Sequence, residues 1–109
     1  MQTLQTTFRI EELEKKDTLL EVVSDKYCRT ILESIMYKPK SVMEITAEAK
    51  IPISTVYRRI QILHDNNLVA TSGTITEDEK KLFLYKSKVK GIQCNFNNGQ
   101  IEVKLTLND

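Results

Sequence analysis

Between residues 51 and 69 the chain reads "IPISTVYRRIQILHDNNLV", and its apolar positions repeat with the period of a helix. At about 100° per residue, Val56, Ile60 and Leu63 share one stripe, while Ser54, Arg58 and Gln61 fall on the opposite side. Tyr57 and Arg59 flank the stripe. The pattern predicts a helix over 53–66. Pro52 suits its first turn, where a missing N–H costs nothing; Ser54 as N-cap is a rival start. Upstream, "TLLEVV" (18–23) reads as a short helix halted near Ser24 and Asp25, both able to cap the next one. "DKYCRTILESIMYKP" sets Tyr27, Ile31 and Ile35 four residues apart, with Cys28, Leu32 and Met36 beside them, which predicts a broadly buried helix ending at Pro39. "SVMEITAEA" opens on Ser41 with Glu44 three residues on, a capping box, and Val42, Ile45 and Ala49 give this short helix one apolar side. Residues 1–17 are polar and mixed in charge, and read as a tail or a marginal helix.

After "DNN" (65–67) the period drops toward two. "LVATSGTI" and "KLFLYKS" are strand-prone runs joined by the acidic "TEDEK", so they predict a hairpin with an exposed tip. A second hairpin follows: Ile92, Cys94 and Phe96 alternate, "NNG" (97–99) supplies a tight turn, and Ile101, Val103, Leu105 and Leu107 alternate after it. An isolated two-stranded hairpin is marginal in water, so its apolar face needs a cover. The chain's own first helix is one candidate. The other, favoured here, is the same hairpin of a second copy, forming a shared sheet or sandwich and so a homodimer about a two-fold axis.

Helix, short helix, turn, longer helix and ribbon is the order of a winged helix-turn-helix, an α+β fold. The expected division is a tail at 1–17, the winged helix-turn-helix at 18–88, and an extra C-terminal β-hairpin at 89–109 as dimerisation element. The stretch "YCRTILESIMYKPKSVMEITAEAKIPISTVYRRIQILHDNNLV" (27–69), with its "STVYR" helix and "LHDNNLV" exit, resembles the ArsR-like winged-helix regulators, in particular their small archaeal members. The looser match over the ribbon extends the resemblance to roughly residues 18–87. It implies a helix whose Ser54, Thr55, Tyr57 and Arg58 approach double-stranded DNA. The turn has Lys50 where a glycine is common in the family. The thiolate pair of the metal-sensing members is missing from "SVMEIT", and their His/Asp set on a last helix has no counterpart here, so metal sensing is not carried over.

Charge adds one qualification. Net charge is +1, yet residues 1–49 hold 7 Lys+Arg against 9 Asp+Glu, and residues 50–109 hold 9 against 6. The C-terminal half can therefore meet an anionic partner. Arg58, with its planar fork, is the expected base reader. Ile53, Ser54, Thr55, Tyr57, Arg59 and Gln61 complete the expected contact set on that helix, with Lys80 and Lys81 from the ribbon. Arg59 lies nearer the core stripe, within reach of either a phosphate or an acid of the preceding helix. The acids Glu77, Asp78 and Glu79 would keep the ribbon tip off phosphates. His64 is the only histidine, and Cys28 and Cys94 stand far apart, so no metal cluster, cofactor or catalytic pair is expected. No apolar run approaches a membrane span, and no apolar signal core is present. The expectation is a non-enzymatic, cytoplasmic, sequence-specific DNA-binding regulator that acts as a homodimer; the alternative is a winged helix serving as a protein–protein interaction module.

Overall fold

Local capping chemistry and apolar periodicity account for most of the element boundaries. The computed structural model describes residues 6–109. They form β1 (Thr7–Ile10), α1 (Leu13–Ser24), α2 (Lys26–Ser34), α3 (Val42–Ala49), α4 (Ile53–Asp65), β2 (Val69–Ile75), β3 (Lys81–Ser87), β4 (Val89–Asn97) and β5 (Gln100–Leu107). The fold is α+β, with one antiparallel sheet in the order β1–β5–β4 and one β2–β3 ribbon. Among the described residues, no helix is long and apolar enough to cross a membrane.

Asp25 separates α1 from α2 without a loop. Its backbone is extended, its N–H closes α1 on Glu21 O, and its carboxylate accepts from Cys28 N at 3.1 Å as the N-cap of α2. Ser41 and Glu44 form both halves of the expected capping box at the start of α3, each at 3.2 Å. α4 begins at Ile53 with Pro52 as its N-cap, which rules out Ser54 as the start. α2 ends at Ser34, short of Pro39. The Ile35 carbonyl, which a longer helix would use, instead accepts from Ser87 N at 3.0 Å.

One apolar cluster runs through the molecule. Ile31 and Ile35 of the α2 region, Ile45 of α3 and Val56 and Leu63 of α4 are fully buried against one another. Complete burial of side chains of this size contributes about 1.5–3 kcal/mol each. The cluster continues through Leu19 and Val22 of α1 to Val103 and Leu105 of β5. The β2–β3 ribbon pairs Val69 with Ser87 at its base and Ile75 with Lys81 at its tip. Lys40, just before α3, exchanges both backbone hydrogen bonds with Tyr85 and so adds a one-residue bridge to the ribbon.

The second hairpin forms as expected. Asn98 and Gly99 have φ of 53° and 76°, the conformation a two-residue hairpin turn needs. Ile92, Cys94 and Phe96 lie opposite Leu105, Val103 and Ile101. One expectation changes. Thr7–Ile10 is a strand paired with β5, and Leu13–Asp17 belongs to α1, so most of the expected tail is structured; residues 1–5 lie outside the described residues. The apolar face of the hairpin is covered over its middle by α1 of the same chain, through Leu19 and Val22, while Cys94 and Phe96 toward the β4 edge stay exposed. The physical reason is proximity: β1 clamps the start of α1 to β5, which lays the helix across the sheet.

The turn between α3 and α4 carries a local strain. Lys50 has φ of 56° and ψ of 42°, a left-handed conformation in which a Cβ is unfavourable. Its exposed side chain contributes little packing to offset that. Lys50→Gly is therefore expected to stabilise the chain by roughly 0.5–1 kcal/mol, after allowance for the extra freedom glycine gives the unfolded state. Urea denaturation followed by circular dichroism measures it; a destabilised variant would contradict the left-handed turn.

Candidate functional site

Packing of α4 against α2 and α3 decides which of its side chains face outward. Val56, Ile60 and Leu63 are buried. Ile53, Ser54, Tyr57, Arg58 and Gln61 are exposed and Thr55 is half-buried. Five of the seven expected α4 residues thus form an open face on one side of the helix. Among the described residues, Arg58 makes no ion pair and no side-chain hydrogen bond. Its guanidinium is free to engage a ligand. Gln61 donates from Nε2 to Asp65 Oδ1 at 2.8 Å, an exposed contact along the helix that a competing partner can replace.

Arg59 departs from the expected set. Its Nε donates to Asp25 Oδ2 at 2.7 Å, and its guanidinium lies 5.6 Å from the centre of the Tyr27 ring. Both partners belong to the α2 end of the molecule, so Arg59 ties α4 to α2 and is not available on the outer face. Burial opposes ionisation of Asp25, but hydrogen bonds from Arg59 and Cys28 outweigh it and hold the carboxyl at about 2. Burial, reinforced by the Asp25 carboxylate, pushes the neighbouring Cys28 thiol up to about 12, so it stays protonated at neutral pH. Cys28 is a core residue.

The ribbon packs against α4 through β2 and against α2 and α3 through β3. The Tyr85 phenol is shifted upward by burial and, secondarily, by Tyr57. Tyr57 itself is 56% exposed. Farther along the ribbon, Lys81 Nζ lies 4.9 Å over the Phe83 ring, and Ile75 at the tip is 74% exposed. Residues 76–80 close the tip: Thr76 N donates to Lys80 O, the Thr76 hydroxyl accepts from Lys80 N, and Glu79 takes a left-handed φ of 60°. Lys80 and Lys81 are exposed as expected, but Glu77, Asp78 and Glu79 are exposed beside them, so the tip is acidic overall.

The apolar flank formed by Ile75 and Phe83 was not among the expected site residues. The signal was present: Thr71, Gly73 and Ile75 alternate opposite Tyr85, Phe83 and Lys81. What the alternation lacks is any sign that this face outruns the core. Among the described residues, no group of three or more His, Cys, Asp or Glu is placed to hold a metal ion. No protein-family model matches the sequence, and no curated protein matches it significantly.

The Asp25–Arg59 pair makes stability depend on acid. Its carboxyl is lowered from 3.8 to about 2 on folding, so its contribution is complete above the unfolded value and is lost as pH falls through the folded one. Folding stability is expected to drop by about 2 kcal/mol between neutral pH and the acid side of that window. Asp25→Asn should remove this dependence while keeping an oxygen for the α2 cap. Urea midpoints across the acid range check both, and an unchanged slope in the variant would assign the acid lability elsewhere.

Proposed function

We propose that this chain is a winged helix-turn-helix protein that binds double-stranded DNA and acts as a transcriptional regulator. The order α2, Lys40 bridge, α3, turn, α4 and β2–β3 ribbon supports the fold reading. The observation that carries the functional one is the division of α4: Val56, Ile60 and Leu63 are buried, while Ser54, Tyr57, Arg58 and Gln61 are held outward together. The major groove is wide enough for one α-helix, and a preceding helix can prop it there. Arg58 is the reader in this scheme, with a fork that fits the two acceptors of guanine. Ser54 and Gln61 bring short polar groups to neighbouring base edges, and Tyr57 reaches phosphate or sugar. Lys81 supplies a backbone contact from the ribbon, and the acidic tip stays clear of phosphates. Arg59 does not take part; it sets the rotation of α4 about its own axis.

The exposed Ile75 and Phe83 favour a second reading, in which the ribbon meets another protein. Near-neutral net charge suits it as well. The two readings separate on salt. DNA affinity that rests on phosphate contacts falls steeply with salt concentration, whereas an apolar ribbon surface has no such dependence on duplex DNA.

Fluorescence anisotropy with duplex DNA at low and moderate salt is the deciding measurement. Arg58→Ala is expected to cost about 1–3 kcal/mol on a preferred site and to relax preference there, while Lys81→Ala weakens all sequences alike and lowers the salt slope by about 1. Arg59→Ala lowers the unfolding midpoint and leaves sequence preference intact. Affinity in the folded Arg58→Ala protein equal to that of the parent would remove the groove-insertion reading.

A further inference from the structure

The two edges of the β1–β5–β4 sheet are built differently. β1 is 4 residues long and carries Arg9, which pairs with Glu102 at 3.3 Å. Short length and charge are ordinary protections of a sheet edge against another chain. β4 has 9 residues, and from Gly91 to Asn97, "GIQCNFN", it has neither a charge nor a proline. Its one charged residue, Lys90, sits where the register with β5 shifts. The stretch beyond it is unguarded.

Among the described residues, the unpaired backbone groups of that edge belong to identifiable positions. Leu107 N donates to Thr6 O at 2.8 Å, on the β1 side of β5. Antiparallel alternation then directs Val103 and Leu105 to β1, and Glu102 and Lys104 to β4. The β4 residues opposite those last two are Asn95 and Gln93. Ile92, Cys94 and Phe96 therefore turn their N–H and C=O outward. Their side chains lie on the face that α1 covers, yet the cover gives out toward this edge: Val103 is fully buried, Cys94 is exposed and Phe96 is 72% exposed. Beside Ile92 runs a groove of about 210 Å³, lined by Val22, Leu32 and Met36 together with the charged Arg29, Glu33 and Lys90.

We infer that a second copy of this chain pairs along this edge, β4 antiparallel to β4, with the two-fold axis at Cys94. That register sets Ile92 opposite the partner's Phe96, Gln93 opposite the partner's Asn95, and Gly91 opposite the partner's Asn97. Apolar side chains meet on one face, amides meet on the other, and the outward N–H and C=O groups of Ile92, Cys94 and Phe96 find partners. Moving the axis to Gln93 sets Lys90 against Phe96; moving it to Asn95 sets Ile92 against the turn residue Asn98. Only the Cys94 register pairs the whole uncharged stretch with itself. It also brings each exposed Phe96 beside Ile92 of the other copy, next to the apolar side of that groove. The two sheets become one, and the uncovered strip on each is closed by the other.

This dimer does not depend on the DNA-binding reading, and its test uses no DNA. Light scattering on the full chain should give twice the 12.6 kDa chain mass. Phe96→Asp, at an exposed position, should halve that mass while circular dichroism stays unchanged. Mild oxidation should yield a cross-linked dimer on a non-reducing gel that Cys94→Ser abolishes. In the Cys94→Ser background, a mixture of Gln93→Cys and Asn95→Cys chains should cross-link faster than either chain alone. A monomer at every concentration up to millimolar, or a dimer whose mass Phe96→Asp leaves intact, overturns the pairing. Cross-linking of either single-cysteine chain as fast as the mixture overturns the register.

Discussion

The seating of α4 on α2 is the constraint from which the rest of the molecule takes its shape. Val56, Ile60 and Leu63 are drawn into the core with Ile31 and Ile35, and one polar contact, Arg59 to Asp25, fixes the rotation that the apolar contacts alone leave loose. Apolar burial is non-directional and supplies most of the energy. The charged hydrogen bond is short and directional, and about twice as strong as a neutral one. Asp25 is the residue where these meet. It ends α1, caps α2 and holds α4, so the direction of the helix that covers the sheet and the face of the helix offered to solvent are set at one carboxylate.

Features that were legible in the sequence are those whose cause is local. The Ser41–Glu44 capping box, the Asn98–Gly99 turn and the apolar stripe of α4 each need only a few neighbouring residues, and each stands where the pattern puts it. β1 was not legible, because "TFRI" becomes a strand only by pairing Thr7–Ile10 with Thr106–Val103 at the far end of the chain. The end of α2 was misplaced for a related reason: the carbonyl of Ile35 is claimed by Ser87, a long-range contact that no helix signal anticipates. The alternation of β4 and β5 announced an apolar face in need of a cover, but alternation does not say which surface supplies it. α1 does so over the middle of the sheet, and the cover stops short of Cys94 and Phe96 at the β4 edge.

The candidate site divides in the same manner. Exposure of Ser54, Tyr57, Arg58 and Gln61 follows from helical geometry, and the structure agrees. The helical wheel left Arg59 beside the stripe with a phosphate and an acid as equal partners. Which one it takes depends on where Asp25 lies across the α2–α4 contact, and no spacing encodes that. The ribbon's Phe83 and Ile75 were legible as sharing one face, but not as exposed. Their side of the ribbon is a core face at Val69 and Ser87 and a free face at the tip, and the crossover depends on how far the core extends.

The two sheets meet at one junction, and that junction relates the outer face of α4 to the open edge of β4. Ser87 is buried, its hydroxyl bonds the backbone of Val89 on both sides, and its N–H reaches Ile35 O. Asn108 donates to both Met36 O and Ser87 O, and Lys88 N donates to Leu68 O where α4 gives way to β2. The end of α2, the exit of α4, the base of the ribbon and the start of β4 are therefore hydrogen-bonded to one another over a few residues. Buried polar groups satisfied in this way rigidify their surroundings, because moving one leaves several unpaired. A rigid junction means that two copies joined along β4 would hold their α4 helices at one fixed separation and angle. Spacing between two sites on a ligand would then be set by Ser87 and Asn108, neither of which touches that ligand.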